Sequence, residues 1–454
     1  MLLNTSLLGQ RIQGAWRALL SAFTILLEYP VILPVALITM VNEMNYSGIN
    51  NITLPAYVGT LNLLGNAGKL TGVLVSVFLL SEAIFRLPSG WLSDHFGRTR
   101  MITLAMLLLV PSYLVGALLP NNAYLLFIPL RFWDGLMAAL MWTSVFAIIG
   151  DAVPERARAN AMGVINMTYM IGAILGYLFA GGAVLLTQHQ HPRWYLFFAC
   201  AAVAIAGSTA FFVFRRYPKL NVPHPEVHLE DARRPALSIA SHIPLYVITF
   251  LQTFALTLLA PFIFKYATDS LSSGGLALNG RQLLLLLGAP VLGLAIFAIP
   301  LSRLADHIGK RNAVRLAFTV VGLTLWIFAV NRQLWVITSV ITVVGIAFSM
   351  GVPAWLAILS ALGGSESRGA TLGGYGTVQG LAAVCGPIVG GFLLDDKGLV
   401  PQLRDSIGHT LHGEVSHFSM LFLVSGIMVL CAAILSWLTI PAHYCNSENV
   451  CEDL

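Results

Sequence analysis

Long apolar stretches separated by short polar breaks run along almost the whole chain. A bilayer core about 30 Å thick needs about 20 largely apolar helical residues. Twelve stretches are long enough, and they lie at 17–42, 69–91, 99–119, 123–150, 160–187, 194–214, 241–267, 282–303, 312–331, 334–361, 369–394 and 418–440. Strands of a membrane barrel would alternate and span about 10 residues. The pattern therefore predicts an all-α membrane protein with 12 transmembrane helices.

The composition agrees with a chain whose surface faces lipid. Of the 454 residues 57% are hydrophobic and 10% are charged, whereas soluble domains carry about 25% charged residues. This excludes a soluble enzyme, a disordered protein and a nucleic-acid binder. The net charge of +5 does not indicate a polyanionic partner, because the basic residues lie in short loops where membrane orientation explains them. We also find no nucleotide, haem, zinc or hydrolase motif, so we expect neither a cofactor nor a metal.

The basic residues predict how the chain is oriented. With a cytoplasmic N-terminus, sixteen of the 25 Lys and Arg residues fall on the cytoplasmic side and seven on the other. The remaining two, Arg86 and Arg131, lie within spans. We therefore expect both termini in the cytoplasm, and the compact loops favour a monomer in a bacterial cytoplasmic membrane. Two glycosylation sequons, Asn45–Ser47 and Asn51–Thr53, are expected in the outer loop after the first span.

Three pairs of similar segments indicate an internal duplication. GWLSDHFGRTR follows the second span and SRLADHIGKRN follows the eighth, with Asp94 and Asp306 212 residues apart. ERARANAMG after span 4 and ESRGATLGG after span 10 have the same offset, and GAILGY in span 5 parallels GPIVGG in span 11. We therefore predict two pseudo-symmetric six-helix bundles, 1–214 and 241–440, joined by a cytoplasmic linker, 215–240, and followed by a tail, 441–454.

These segments resemble the loop 2–3 signature of the major facilitator superfamily, G-x-x-x-D-[RK]-x-G-[RK]-x-[RK]. The first copy has Gly90, Asp94, Gly97 and Arg98, with His95 where Arg or Lys is usual. The second copy has Asp306, Gly309 and Lys310, and Ser302 replaces the first glycine. The resemblance extends over essentially the whole chain and implies a secondary transporter.

The signature has a legible physical role in conformational gating. Gly90 would let the second span approach a neighbour closely, and Gly97 would allow a tight turn. Asp94 could cap or pair with the end of an adjacent helix. We expect Arg98, and Asp306, Gly309 and Lys310 in the second copy, to take part in the same gating.

The segment Asp151–Gly163 looks most like that of 12-helix drug:proton antiporters. Their motif G-P-x-x-G-G belongs in span 5, but here span 5 lacks the proline and the full motif lies in span 11, at Gly386–Gly391. This departure leaves the direction of transport open.

Five ionisable residues are predicted well inside the spans, and all belong to the first half: Glu28, Glu82, Arg86, Arg131 and Asp134. Each costs roughly 3 kcal/mol at the bilayer centre, so each should pair or line a cavity.

Glu28 is the favoured proton carrier. Because the resemblance places spans 1 and 4 at the central cavity, Glu28 and Arg131 could meet there, either for coupling or as a permanent structural pair. Asp134 and Glu82 are the alternative carriers, although Glu82 and Arg86 also suit a local structural or gating pair.

Four uncharged residues are candidates for the substrate cavity: Trp142, Gln252, Tyr375 and Gln379. Trp142 follows Arg131 on one face of span 4 and could stack on a flat or cationic substrate, or serve only in packing. The second half offers mainly apolar and hydroxyl side chains. Such a cavity suits an amphipathic substrate better than a sugar phosphate or a dicarboxylate, which need several basic groups.

The sequence thus favours proton-coupled export of a hydrophobic or amphipathic small molecule by alternating access, driven by the proton gradient. A lipid or glycolipid flippase of the same fold is one alternative. A membrane sensor or assembly factor that transports nothing is the other.

Overall fold

A computed structural model describes residues 26–61, 63, 66–187, 191–218, 243–279, 282–283, 286, 308–362, 364–394, 416–440, 443–445 and 451–453. Ten helices in these ranges are long and apolar enough to cross a membrane. They correspond to predicted spans 2–7 and 9–12. Most of predicted span 8, 282–303, lies outside the described residues.

The first span continues well beyond residue 42, where the sequence predicts its end, while residues 17–25 of that predicted span lie outside the described residues. It comprises α1 (Ile32–Gly48), a π-helical turn (Ile49–Thr53) and α2 (Leu54–Gly59), which follow one another without a break. The prediction of an outer loop after residue 42 was wrong, because polar residues such as Asn42 and Glu43 reduce the hydropathy there yet are buried against protein. Both sequons therefore lie in a buried helix.

The remaining helices of the first half follow the predicted spans closely. They are α3 (Ala67–Phe96), α4 (Arg98–Leu118), α5 (Phe127–Ala152), α6 (Glu155–Leu186) and α7 (Trp194–Phe214), with a 3₁₀ turn at Asn121–Leu126. Gly97 separates α3 from α4 with a φ of 96°, a backbone conformation that side chains with a Cβ rarely adopt.

The second half contains α8 (Ile243–Leu259), α9 (Ile263–Thr268), α10 (Lys310–Val330), α11 (Leu334–Leu362), α12 (Gly364–Leu393) and α13 (His417–Thr439), with 3₁₀ turns at Ala260–Phe262 and Leu271–Ser273. The predicted tail holds a short antiparallel pair, β1 (His443–Cys445) and β2 (Cys451–Asp453). The protein is thus all-α in its membrane part, and the hairpin is an addition to the predicted fold.

Contacts between residues divide the chain into two compact units. The first comprises Met1–Leu61 and Val77–Pro225, and the second Asn62–Ser76 and Glu226–Leu454. The start of α3 therefore belongs to the second unit, although the sequence assigns all of α3 to the first bundle. Gly72 explains it, because a side chain there would collide with the backbone of Pro387 on α12.

The helices of the two units pack in the same pattern. In the first unit α1 packs on α6, and α4 on both α5 and α7; in the second, α8 packs on α12, and α10 on both α11 and α13. Apolar side chains such as Ile205 and Leu438 remain exposed on the outer faces, as a lipid-facing surface requires. The duplication read from the sequence is therefore repeated in the packing.

Glycines make the α1–α6 contact close, and their counterparts do the same for α8–α12. A Cβ added at Gly176 would lie within 3 Å of the Met44 carbonyl oxygen, and one added at Gly390 would meet the carbonyl oxygen of Leu258. Both residues of the second pair are 214 positions beyond those of the first. The shift of G-P-x-x-G-G into span 11 therefore leaves equivalent helix contacts in both halves.

We expect Gly176→Val to destabilise the protein by about 3 kcal/mol, because overpacking a helix interface forces the backbones apart. Thermal unfolding of the purified protein in detergent measures this. Gly182→Val is the matched control, since it places the same side chain on the same helix where no described atom lies within 4 Å. Equal losses of stability in both variants would contradict the close contact.

Candidate functional site

A buried carboxyl group that the sequence analysis did not select lies in the middle of the first unit. Glu43, near the end of α1, is 3% exposed. Its Oε1 accepts a 2.8 Å hydrogen bond from the hydroxyl of Ser47, one turn further along the helix. The Tyr169 hydroxyl, on α6, lies close to this carboxylate. Among the described residues, no Lys or Arg forms an ion pair with Glu43.

Aromatic rings surround this carboxyl group and extend toward α5. The rings of Trp142 and Tyr169 are 5.8 Å apart, and Trp142 also stacks on Phe146 at 5.5 Å. Trp142, a predicted cavity residue, is thus linked to Glu43 through Tyr169. A carboxylate beside aromatic rings is suited to a cationic or flat amphipathic molecule.

The Arg131 guanidinium is buried beside a different carboxylate, that of Asp134. Arg131 Nη1 donates to Asp134 Oδ2 at 2.6 Å, and the two residues are 2% and 3% exposed. The hydroxyl of Ser112 donates to Asp134 Oδ1 at 2.5 Å. The guanidinium also lies 4.6 Å from the centre of the Phe78 ring. This charge pair is nearly fully hydrogen-bonded, as a buried pair must be to be tolerated.

Two side chains of the π turn hydrogen-bond residues of α5 and α6. Arg131 Nη2 donates to Asn50 Oδ1 at 2.7 Å, and Asn51 Nδ2 donates to the Tyr177 hydroxyl at 3.0 Å. Two consecutive asparagines therefore contact α5 and α6 respectively. π turns inside α-helices occur frequently at functional sites.

The expected meeting of Glu28 and Arg131 does not occur. Glu28 is exposed, precedes the break at Pro30, and accepts a 3.0 Å hydrogen bond from its neighbour Tyr29. Asn50, which holds Arg131, is 22 residues further on, or roughly 30 Å at 1.5 Å per helical residue. The two residues lie apart because Glu28 ends a helical stretch before the break at Pro30, whereas Arg131 contacts the chain at Asn50, beyond the predicted end of the span.

Glu82 and Arg86 form the local pair that their spacing suggests. Arg86 Nη2 donates to Glu82 Oε1 at 2.9 Å, and half of the Arg86 side chain is exposed. Glu82 itself is buried and close enough to interact electrostatically with Glu43. The three carboxyl groups of Glu43, Glu82 and Asp134 are thus buried in one unit.

In the loop after α3, Arg98 is the centre of the ion-pair network. Its Nη2 lies 3.3 Å from Asp94 Oδ1, and its Nη1 pairs with Asp151 at the end of α5 and donates to the Ala147 carbonyl. Gly90 has no described atom within 4 Å of where a Cβ would lie. The expectation of a close helix approach at Gly90 was wrong, because its α-hydrogens face open space.

The second copy of the signature is described only in part. Gly309 has a φ of 83° and directly precedes α10, which begins at Lys310, just as Gly97 precedes α4. Asp306 lies outside the described residues. The turn glycines of the two copies are therefore equivalent in backbone conformation.

Nearly all buried polar residues in the described part of the second unit are uncharged. Gln252 is buried beside an apolar cavity that Phe318 and Phe348 also line. The Gln379 amide donates to the Tyr375 hydroxyl at 3.2 Å on α12. The one buried charged residue in the described part of this unit, Arg315, donates to carbonyl oxygens at the end of α13. Among the residues that the structure describes, the buried carboxyl groups therefore all belong to the first unit.

Sequence reasoning missed Glu43, Asn50 and Tyr169. The sequence held one signal for the first two: polar residues recur at Glu43, Asn50 and Thr53, in a stretch that contains no proline. Tyr169 carried no signal, since a tyrosine in an apolar span is ordinary. Among the residues that the structure describes, no cluster of three or more His, Cys, Asp or Glu residues could hold a metal ion.

We predict that Arg131→Leu destabilises the protein by about 3 kcal/mol, because it leaves the Asp134 carboxylate buried without its cation. The double variant Arg131→Leu/Asp134→Leu removes both charges and should recover part of this loss. Thermal unfolding in detergent, followed by tryptophan fluorescence, compares the variants. A double variant less stable than Arg131→Leu alone would contradict the pairing.

Known protein sequences resemble this chain over most of its length. The sequence profile of the Major Facilitator Superfamily matches residues 19–280 and 245–449. The proton-coupled antiporter flippase LtaA of Staphylococcus haemolyticus is 22% identical over 364 residues, which cover 80% of this chain and 85% of LtaA. Multidrug resistance protein 2 of Bacillus subtilis is 24% identical over 346 residues, 76% of this chain and 84% of that protein.

Solved structures share the fold at low sequence identity. A mutant of the nucleoside transporter NupG has a TM-score of 0.67 at 12% identity, over 90% of this chain and 100% of NupG. An inward-facing bacterial homologue of the human lysosomal transporter Spinster has a TM-score of 0.64 at 16% identity, over 90% and 96% of the two chains. With its helical architecture, its repeated packing and a profile match over nearly its whole length, the chain belongs to the Major Facilitator Superfamily of membrane transporters.

Proposed function

We propose that this protein is a proton-coupled transporter of hydrophobic or amphipathic small molecules, and that Glu43 is its principal proton carrier. The observation that carries the proposal is the burial of the Glu43 carboxyl group without an ion-pair partner in the described part of the chain. Ionisable groups inside a membrane protein mark proton relays more often than structural sites. Of the buried carboxyl groups here, Asp134 and Glu82 each have an arginine, whereas Glu43 has hydroxyl partners only.

Hydroxyl partners suit a group that alternates between two protonation states. The Ser47 hydroxyl donates to the Glu43 carboxylate when it is charged, and it can rotate to accept from the carboxylic acid when it is protonated. The nearby Tyr169 hydroxyl could act in the same way. An arginine has donors only and could not serve both forms. The Glu43 carboxyl group can therefore bind and release a proton without leaving a buried partner unsatisfied.

Arg131 is proposed as the group that couples the carriers. It is held between Asp134 and Asn50, and Asn50 lies on the helix that also bears Glu43. A movement of the first helix that alters the Asn50 contact would change how strongly Arg131 stabilises the Asp134 carboxylate. Asp134 remains the second carrier, and Glu82 the third.

The proposed substrate is amphipathic and flat or cationic. Trp142 and Tyr169 offer ring faces next to the Glu43 carboxylate, and a bound cation would compete with the proton for that charge. Gln252, Tyr375 and Gln379 of the second unit stay candidates for substrate binding. Competition between proton and cation at one carboxylate is sufficient for antiport.

Two further features of the proposal follow from charge distribution. The excess of basic residues on one side places both termini in the cytoplasm, so the Gly59 end of the first helix faces outward. We propose a monomer in a bacterial cytoplasmic membrane, in which Asp94, Arg98 and their counterparts Asp306 and Lys310 hold the cytoplasmic gate.

Lipid flipping is the second candidate, favoured by one observation. A relative named as a proton-coupled antiporter flippase matches 80% of the chain. The coupling chemistry at Glu43 would be the same in both cases.

Dye transport in everted membrane vesicles tests the proposal. With an acidic lumen, wild-type vesicles should accumulate ethidium, a lipophilic cation, and lose it when the gradient is collapsed. Glu43→Gln should reduce this accumulation by about tenfold or more, since an amide cannot exchange a proton. Glu28→Gln is the matched control and should transport like the wild type, because Glu28 is exposed at the start of the helix.

Proteoliposomes with fluorescently labelled phospholipid and glycolipid distinguish the second candidate. Gradient-dependent lipid flipping without ethidium transport would replace the small-molecule substrate by a lipid. Gradient-driven transport of either class that survives Glu43→Gln unchanged would refute Glu43 as the carrier.

A further inference from the structure

We propose that a file of bound water molecules lies beside the outer part of the first helix and brings protons from the outer surface to the Arg131–Asp134 pair. The use of the file for proton delivery rests on the proposed function. The water site itself rests on buried polar atoms of this helix, and it can be tested without any transport.

Three side chains near the end of the first helix carry buried polar atoms without a hydrogen-bond partner among the described protein atoms. They are Asn50 Nδ2, Thr53 Oγ1 and Tyr57 Oη. Asn50 and Thr53 are 0% exposed and Tyr57 is 1% exposed. An unsatisfied buried donor or acceptor costs about 1–3 kcal/mol, and bound water is the usual partner of such groups in protein interiors. Three of them within eight residues indicate a shared water site.

Thr53 differs from other buried threonines of these helices. The hydroxyls of Thr39 and Thr103 bond the carbonyl oxygens four residues before them. For Thr53 that oxygen belongs to Ile49 in the π turn, where it accepts the backbone N–H of Leu54, and the Thr53 hydroxyl has no described partner. The hydroxyl is therefore free to bind water.

Tyr57 shows the same contrast with another buried tyrosine. The Tyr195 hydroxyl, equally buried, donates to the Met44 carbonyl oxygen at 2.9 Å. The Tyr57 ring is held by Phe127, at 5.1 Å between ring centres, and by the Arg193 guanidinium, 4.7 Å from its centre. Its position is fixed, yet its hydroxyl has no described partner.

The unpartnered atoms connect a surface loop to the buried charge pair. Arg193, beside Tyr57, donates to Asn121 at 3.1 Å in the loop between α4 and α5. At the other end, Asn50 holds Arg131, whose Nε is also buried without a described partner. From Tyr57 to Asn50 is seven residues, about 10 Å along the helix.

Water molecules about 2.8 Å apart would bridge this length with about four members. A proton from external water would enter at Tyr57 and pass along the file as each water accepts one proton and releases another. Its acceptor would be the Asp134 carboxylate, which then releases Arg131. No other bond is made or broken.

Hydroxyl-radical labelling tests the water site directly. Short X-ray pulses generate radicals from bound water, so a buried side chain is labelled only where water touches it. In the purified wild-type protein we expect Tyr57 to be labelled about five times faster than Tyr195, since the two are equally buried but only Tyr57 lacks a protein partner. Equal, slow labelling of both tyrosines would overturn the water file.

Transport by Thr53→Val tests proton delivery. Valine keeps the shape of threonine but cannot bind water, so we expect gradient-driven ethidium accumulation to fall by about fivefold or more. Thr39→Val is the matched control, because Thr39 is equally buried on the same helix and its hydroxyl bonds only the Val35 carbonyl. Wild-type transport by Thr53→Val would overturn the delivery role even if Tyr57 is labelled. Wild-type transport by Glu43→Gln, by contrast, would refute Glu43 as the carrier and would leave the water file untouched.

Discussion

The cost of burying charge in an apolar bilayer is the constraint on which the rest of this structure depends. Each charged side chain inside a membrane costs roughly 3 kcal/mol unless the protein compensates it. The first unit compensates the charge of Arg131 with Asp134, Asn50 and the ring of Phe78. It compensates the Glu43 carboxylate only with hydroxyl groups. The Arg131 charge is compensated while Asp134 is ionised, whereas the Glu43 carboxyl group can change its charge without separating an ion pair.

The close packing of the helices makes these compensations possible. Gly176 lets α6 approach the backbone of α1 at Met44, and Tyr169, two turns earlier on the same helix, thereby reaches Glu43. Gly390 makes the equivalent contact with Leu258 in the second unit. Position 257, which corresponds to Glu43, is a threonine that bonds the Thr253 carbonyl oxygen. The duplication thus preserved the packing, while the chemistry diverged between the two halves.

Most of the fold could be predicted from the sequence, because span length, loop charge and the 212-residue repeat are properties of the chain itself. The site could be predicted only in part. The pair Glu82–Arg86 follows from spacing on one helix, whereas the sequence analysis expected Glu28, not Asp134, to meet Arg131. The continuation of the first span beyond residue 42 was not predicted, because hydropathy cannot distinguish polar residues that end a span from those that face a protein interior. Glu28 was therefore chosen over Glu43, and the contact of Asn50 with Arg131 depends on a π turn that no residue pattern announces.

The central claim is that the Glu43 carboxyl group gains and loses a proton inside the membrane. Infrared difference spectroscopy of the purified protein in lipid, recorded as the pH is stepped, observes protonated carboxyl groups directly. We predict a carboxyl band that changes with pH in the wild type and in Glu28→Gln. This band should be missing from the difference spectrum of Glu43→Gln. Difference spectra that are the same for the wild type and Glu43→Gln would contradict it.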